Sequence, residues 1–436
     1  MRINLIRAAA ALALGAVTAI GNSAMAQAFN WKKYDGETIN VLLNNHPWSN
    51  QIRDMAPQFT EKTGIKVRIE ILNEDPQRAR LGTLLQAKAS DMDVYTSLKI
   101  REGSVYNKAG WYADLNPMIK DPTLTSPQFE LSDFGAGLIR NETFGGKLVG
   151  LPINVEGPLF YWRTDIFAKC KVEVPQFLED IPVAAQKLKA CDPAQGVWAA
   201  RGVRSGVPYT LAAFLFNMGG GFKSVDGKQP GMCRPESVAG LTMYTDLLKN
   251  YGPVGATNHS FPQVVELLGQ GKVAMTHESS NEFVNIMKYP GRDGDIALKV
   301  LPKGKASGLS KPVGFGWGVS ISEFSKKKGP AWFFLQWATS PEVETVLATK
   351  GVAPPRASVF NGPELKAFAA EKPVRQQWVT ALKELSATGT GDYASPTDRV
   401  PETREIIGRA VQEVVLGQKT PKEAACDADA DLAKLQ

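Results

Sequence analysis

The sequence predicts an α/β protein built on an open, mostly parallel sheet, and three stretches near its start carry that expectation. From Thr38, TINVLLNN is an apolar run of strand length; SNQIRDMAPQFTEKTG has helical periodicity and a glycine stop; IKVRIEIL alternates apolar and charged residues. Strand, helix and strand in that order make a βαβ opening, in which the helix crosses over so that the two strands lie parallel. PQRARLGTLLQAKAS then reads as a helix and DMDVYTS as a third strand, continuing the alternation. Ligands of such sheets gather beyond the carboxyl ends of the strands, which nominates NNHPW and TSLKIR as candidate site loops.

After GGKLVGLPINVEG the character changes. PLFYWRTDIF is aromatic and extended, VPYTLAAFLFNMGG and PESVAGLTMYTDLLKN are helical, and GKVAMTHES, DIALKVLPKG and GFGWGVSIS are short strands before the helix AWFFLQWATS. A second domain is expected, in keeping with 436 residues at about 150 per domain. No long Pro/Ser linker divides the two, so the chain is expected to cross between them on short extended segments more than once. No internal period suggests a solenoid or propeller.

Hydrophobic residues at 43% and charged residues at 22% describe a globular chain. The formal charge of +6 comes from scattered Lys and Arg, without the clustered basic face that nucleic acid requires, so no nucleic-acid partner is expected. At the amino terminus, MRINLIR is basic, Ala8 to Ile20 is uncharged, and Ala24-Met25-Ala26 is a small-x-small site. Residues 1–26 therefore read as a cleavable signal peptide, whose apolar run falls short of the roughly 18 residues of a membrane span. Gln27 follows, not a cysteine, so no lipid anchor is expected and the compartment is the periplasm.

An oxidising compartment favours disulfides among Cys170, Cys191, Cys233 and Cys426. Three pairings are possible. Cys170 with Cys191, closest in sequence, is the expected bridge, and the pairing of Cys233 with Cys426 is left open. Zinc would need short paired spacings, and none occurs.

Signatures of nucleophile elbows, phosphate loops, zinc proteases and dinucleotide folds are absent. His277-Glu278 lacks a second histidine at helical spacing, so neither a metal nor a cofactor is expected. Glu156 and Glu278 are the pair that an exported glycoside hydrolase would use, although hydrogen bonding in a binding cleft is the favoured role for both. Among the tryptophans, Trp332 with Phe333 and Leu335 has core spacing. Trp48, in a polar loop, and Trp317, between Gly316 and Gly318, could offer a ring to a ligand. Such faces beside carboxylates and amides suit polyhydroxy compounds.

Taken in order, INVLLNN, FTEKTGIKVRIEIL, DVYTS, AGWYADLNPMI, GGKLVGLPINVEGPLFYWRTDIF, GVPYTLAAFLFNMGGG, LLGQGKVAM, GFGWGVSIS and FLQWATSPEV resemble the extracellular solute-binding proteins of ABC sugar importers, the family that includes the maltose-binding protein. The resemblance covers nearly the whole mature chain. It implies a two-lobed periplasmic-binding-protein fold with a hinge between the lobes, 27–150 plus 278–325 forming the N-terminal lobe and 151–277 plus 326–436 the C-terminal one. It implies capture and not catalysis, a monomer, a carbohydrate or polyol ligand, and ABC permease subunits in the inner membrane as partners.

Carried over position by position, the resemblance implies ligand contacts from Asn45, His46 and Trp48 after the first strand, and from Ser97 and Lys99 after the third. It adds Glu156 in the crossing segment, Tyr209 of the Pro-Tyr pair, Glu278 beyond the A-M strand, Trp317 and Arg356. Two departures limit the ligand. THESSNE stands where many relatives carry a tryptophan, and SLKIR replaces the aromatic-plus-acid pattern of maltose-type proteins. A monosaccharide, sugar alcohol or small glycoside is therefore expected over a long maltodextrin. Lys99, Arg101 and Arg356 keep an anionic sugar acid open; a polyamine or ferric iron are the other alternative solutes.

Overall fold

The computed structural model describes residues 29–391 and 393–436. The expected signal peptide, 1–26, lies outside them. Five strands form one sheet in the order Lys66–Leu72, Thr38–Asn44, Val94–Ser97, Gly318–Ile321, Leu151–Pro152. The first three are parallel and the last two antiparallel to their neighbours, so the βαβ opening is present with a reversed edge. The two faces of Thr38–Asn44 explain its apolar run. Ile39, Val41 and Leu43 join Trp48, Ile52, Met55 and Phe59 of the Pro47–Thr63 helix in one core, while Leu42 meets Leu81 and Leu85 of the Glu74–Gln86 helix on the other side. That helical set, spaced four, three and four, is the stripe that buries one helix face. Gly64, at φ 76°, ends the helix in the left-handed region, and its N–H donates to the Thr60 carbonyl at 2.7 Å.

A second sheet has the order Ile296–Val300, Pro158–Arg163, Val273–Ser279, Gly196–Ala199. Every residue of Pro158–Arg163 and Val273–Ser279 is buried, because helices cover both faces. Val207–Asn217, buried along its whole length, packs in the same core as Trp198 and Met275; the Pro373–Thr388 helix covers Ile296–Val300 and lays Trp378 on Phe283 at 5.0 Å.

The sheets are joined by crossing segments. Ile153 N–H donates to the Trp317 carbonyl at 2.9 Å, and Glu156 and Phe315 exchange two backbone bonds of 2.7 and 2.9 Å. Such close approach dictates glycine: a Cβ on Gly316 would stand 2.2 Å from the Asn154 carbonyl oxygen, and one on Gly157 would stand 2.0 Å from that of Val313.

Sheet membership divides the expected lobe ranges differently from their sequence limits. Leu151–Pro152 completes the edge of the first sheet, and Ile296–Val300, inside the range 278–325, pairs antiparallel with Pro158–Arg163 in the second. The Lys328–Ala338 helix, whose residues from Pro330 onward are all buried, packs against Gly318–Ile321 and the Pro47–Thr63 helix of the first sheet. Disulfides Cys170–Cys191 and Cys233–Cys426 are both formed. The second ties Cys233, two residues before the Pro235–Tyr251 helix, to the carboxyl-terminal Pro421–Ala433 helix. Among the described residues no helix is long and apolar enough to cross a membrane.

Candidate ligand-binding site

Where the crossing segments meet both sheets, a cavity of about 40 Å³ is enclosed by side chains from each. Asn45, His46, Glu74, Arg101 and Trp317 come from the first-sheet side; Arg201, Tyr209, Asn281, Glu282 and Arg404 come from the second; Glu156 and Phe315 come from the crossing itself. The space is sufficient for a few waters, so a larger solute is admitted only when the side chains from the two sides move apart.

The polar centre is Glu156. Its Oε2 accepts from Asn154 Nδ2 at 3.0 Å and from the Asn281 amide, and it lies 3.7 Å from His46 Nε2. His46 also caps the Pro47–Thr63 helix, its Nδ1 accepting the Trp48 N–H at 3.1 Å, while its Nε2 faces Asn281 Nδ2 at 2.8 Å. One histidine thus links the first helix to the floor of the cavity.

An aromatic wall stands beside this network. Tyr209 packs against Phe315 at 5.4 Å and Tyr393 at 6.2 Å. Arg201 lies 4.7 Å over the Tyr209 ring, and Arg78 lies 5.3 Å over Trp317. Arg201 is held by Glu278, which is fully buried beneath it. Burial opposes the charge on Arg201, but Glu278 outweighs it and raises the guanidinium pKa. Glu282 is pushed up to about 7, by burial first and then by the charges of Glu278 and Glu156. Arg101 is lowered to about 10 by burial and by the like charges of Arg78 and Arg404.

Of the ten expected ligand contacts, Asn45, His46, Glu156, Tyr209 and Trp317 line this cavity. Five have other surroundings. Trp48 is fully buried in the core beside Glu344, because Pro47 opens the helix and turns the next residue inward. Ser97 bonds the Tyr112 hydroxyl at 3.0 Å and Lys99 Nζ at 2.8 Å, and Lys99 is itself buried against Glu142 at 2.8 Å. Glu278 is spent on Arg201 and the Ser279 N–H. Arg356 donates to the Glu130 carbonyl and to Asp133, and lies 3.9 Å over Phe134. It borders a separate groove of about 1070 Å³ to which Val155 turns while Glu156 turns to the cavity.

Sequence reasoning missed Arg201 and Asn281, although both follow the carboxyl ends of second-sheet strands, Gly196–Ala199 and Val273–Ser279. The rule that nominated NNHPW, applied to that sheet, finds them. The same rule finds Glu74, two residues past the Lys66–Leu72 strand, whereas Phe315, Tyr393 and Arg404 carry no such signal.

Residues 46–345 match the family described as bacterial extracellular solute-binding protein. The erythritol/L-threitol-binding protein of Mycolicibacterium smegmatis is 24% identical over 365 residues, covering 78% of this chain and 75% of its own. The mannitol-binding protein of Pseudomonas aeruginosa is 24% identical over 423 residues, 91% of this chain and 93% of its own. A solute-binding protein of Agrobacterium radiobacter, solved with ribitol, superposes with a TM-score of 0.80 at 23% identity, covering 92% of this chain and 99% of that one. One of Agrobacterium vitis, solved with D-mannitol, gives 0.77 at 22%, covering 91% and 98%.

Proposed function

The chain belongs to the bacterial extracellular solute-binding proteins, and from that premise we propose that it captures a small polyhydroxy solute between its lobes and presents it to an ABC permease in the inner membrane. The solute class is a sugar, sugar alcohol or small glycoside. One observation carries the reading: Glu156, Asn281 and His46 converge on a small enclosed cavity walled by Tyr209, Phe315, Trp317 and Tyr393. Carboxylate, amide and imidazole exchange hydrogen bonds with hydroxyl groups, and ring faces take the C–H face of a carbon chain. The polyols bound by the relatives, erythritol, threitol and mannitol, point the same way.

The lobes follow the two sheets, with the paired crossings 153–157 and 313–317 as the hinge. A lining drawn from both sides makes closure ligand-dependent, since a solute that contacts both lobes shifts the equilibrium towards the closed state. The hydrolase alternative drawn on Glu156 and Glu278 loses its second carboxylate, because Glu278 is locked to Arg201 and fully buried; membership of a family of binding proteins supports capture. Three guanidinium groups at the cavity, Arg101, Arg201 and Arg404, disfavour a polyamine or ferric ion.

A thermal-shift screen of the mature protein against alditols, aldoses and small glycosides tests the proposal, because a ligand specific to the folded state raises the melting temperature. A shift with a polyol or sugar, and unchanged ligand after prolonged incubation, is expected. Silence across all carbohydrates, or consumption of the ligand, overturns it.

A further inference from the structure

Among the described residues, two cavity-lining cations have no carboxylate hydrogen-bonded to their guanidinium groups. Arg101 follows the Val94–Ser97 strand of the first sheet; among the described residues its side chain makes no hydrogen bond, its Nε is buried without a partner, and its one ion pair is a long one of 4.0 Å to the exposed carboxylate of Asp75. Arg404 belongs to the Val400–Val415 helix on the opposite side and is only 6% exposed. Its bonds go to neutral groups, the Ser205 carbonyl at 2.7 Å and the Tyr393 hydroxyl at 3.5 Å. The segments bearing the two arginines pack against each other, so like charges from the two sides face one cavity.

The neighbouring arginines show what is missing. Arg78 has Glu74 at 2.9 Å and Arg201 has both oxygens of Glu278. The carboxylates that line the cavity are already engaged: Glu74 with Arg78, Glu156 with Asn154 and Asn281, Glu282 with Asn285 at 2.8 Å. A guanidinium largely withdrawn from water with no carboxylate bonded to it is costly, and a carboxylate supplied by the ligand would satisfy it with charge-assisted hydrogen bonds. Beside the Glu156 network, Asn281 Oδ1 is buried without a donor, which a ligand hydroxyl would provide.

Resting on the polyhydroxy reading above, we propose that Arg101 and Arg404 together hold the carboxylate of an acidic polyol, so that the solute is a sugar acid of the aldonate type and not the neutral alditol. Its hydroxyls face Glu156, Asn281 and His46, and its acid end bridges the two sides. The anion then favours closure, because it relieves the repulsion between the two arginines.

Calorimetric titration of the mature protein with D-ribonate against ribitol, and D-gluconate against D-sorbitol, at low salt is the test. The acid of the matching pair is expected to bind at least about tenfold more tightly. Arg101→Met and Arg404→Met are each expected to bring that ratio towards one, and Arg101→Lys to retain part of it. An alditol bound as tightly as its acid by the wild-type protein overturns the inference while the polyhydroxy reading stands, and needs no variant to fold. A preference that survives both Met substitutions in folded protein also overturns it. Binding of neither class, where a neutral sugar or glycoside still raises the melting temperature, overturns this inference alone; silence across the whole thermal-shift screen removes the polyhydroxy reading as well.

Discussion

Arg201 Nε lies 3.1 and 3.0 Å from the two carboxylate oxygens of Glu278, and the same guanidinium covers the ring of Tyr209 at 4.7 Å. A residue buried in a strand thereby positions an aromatic wall it does not touch. Removing one partner strands the other's charge in a dry site, a loss of about 3–5 kcal/mol. Glu278→Gln is accordingly expected to lower stability by that order and to weaken ligand binding. The double variant Glu278→Gln/Arg201→Met should be less unstable than the sum of the single ones. Denaturant unfolding of the four proteins measures the coupling, and strict additivity would remove the positioning role.

Glu156 presents its carboxylate to the cavity from the crossing segment, anchored by the backbone bonds to Phe315. Glu156→Gln keeps the shape and removes the charged acceptor, so ligand affinity should fall about tenfold to a hundredfold, the value of a hydrogen bond to a charged group. The melting temperature without ligand should change little in comparison. Unaltered affinity would place the solute elsewhere.

The pH profile of stability should carry two opposed slopes. Glu282 is raised from 4.5 to about 7 in the folded protein, so the folded state holds a proton that the unfolded chain has lost between those values, and stability falls as pH rises through that window. His277, fully buried, is lowered from 6.5 to about 3, by burial first; there the unfolded chain takes the proton, and stability falls as pH drops through that window. The two windows overlap between 4.5 and 6.5, where the slopes offset each other, so Glu282→Gln should turn a flat profile there into one that rises with pH. Identical profiles for wild type and variant, followed by unfolding from pH 4 to 8, would refute the assignment.

The two disulfides close loops of very different size, with sequence separations of 21 and 193 residues. The chain-entropy model gives about 3 kcal/mol for the shorter and about 5 kcal/mol for the longer. Replacing Cys233 and Cys426 by serine should therefore lower the melting temperature more than replacing Cys170 and Cys191. The reverse order would show that the carboxyl-terminal helix is held by its packing alone.

The βαβ opening was legible because its strands and helix repeat with periods of 2 and 3.6, which a local window detects, and Gly64 marks the helix end by a conformation that glycine readily adopts. NNHPW was nominated by the same logic, but only half of it: His46 faces the cavity while Trp48, two residues later, belongs to the core. Proline at the first helical position moves the boundary by two residues, and on a helix that decides which face a side chain takes.

From the sequence by itself came the alternating α/β layers, the crossing segments, the Cys170–Cys191 bridge, and five of the side chains that line the cavity. The layers and the loop after the first strand are local, resting on periodicity, on a glycine or proline, or on a strand end; the bridge rests on closeness in sequence, and Tyr209 on resemblance to the family. The tertiary structure alone decided that Ile296–Val300 joins the second sheet, that Lys99 and Arg356 are consumed by Glu142 and Asp133, and that Arg101 meets Arg404 across about 300 residues of chain. Which cation finds a carboxylate is a matter of through-space distance and burial, and Coulomb energy depends on both while sequence separation enters neither.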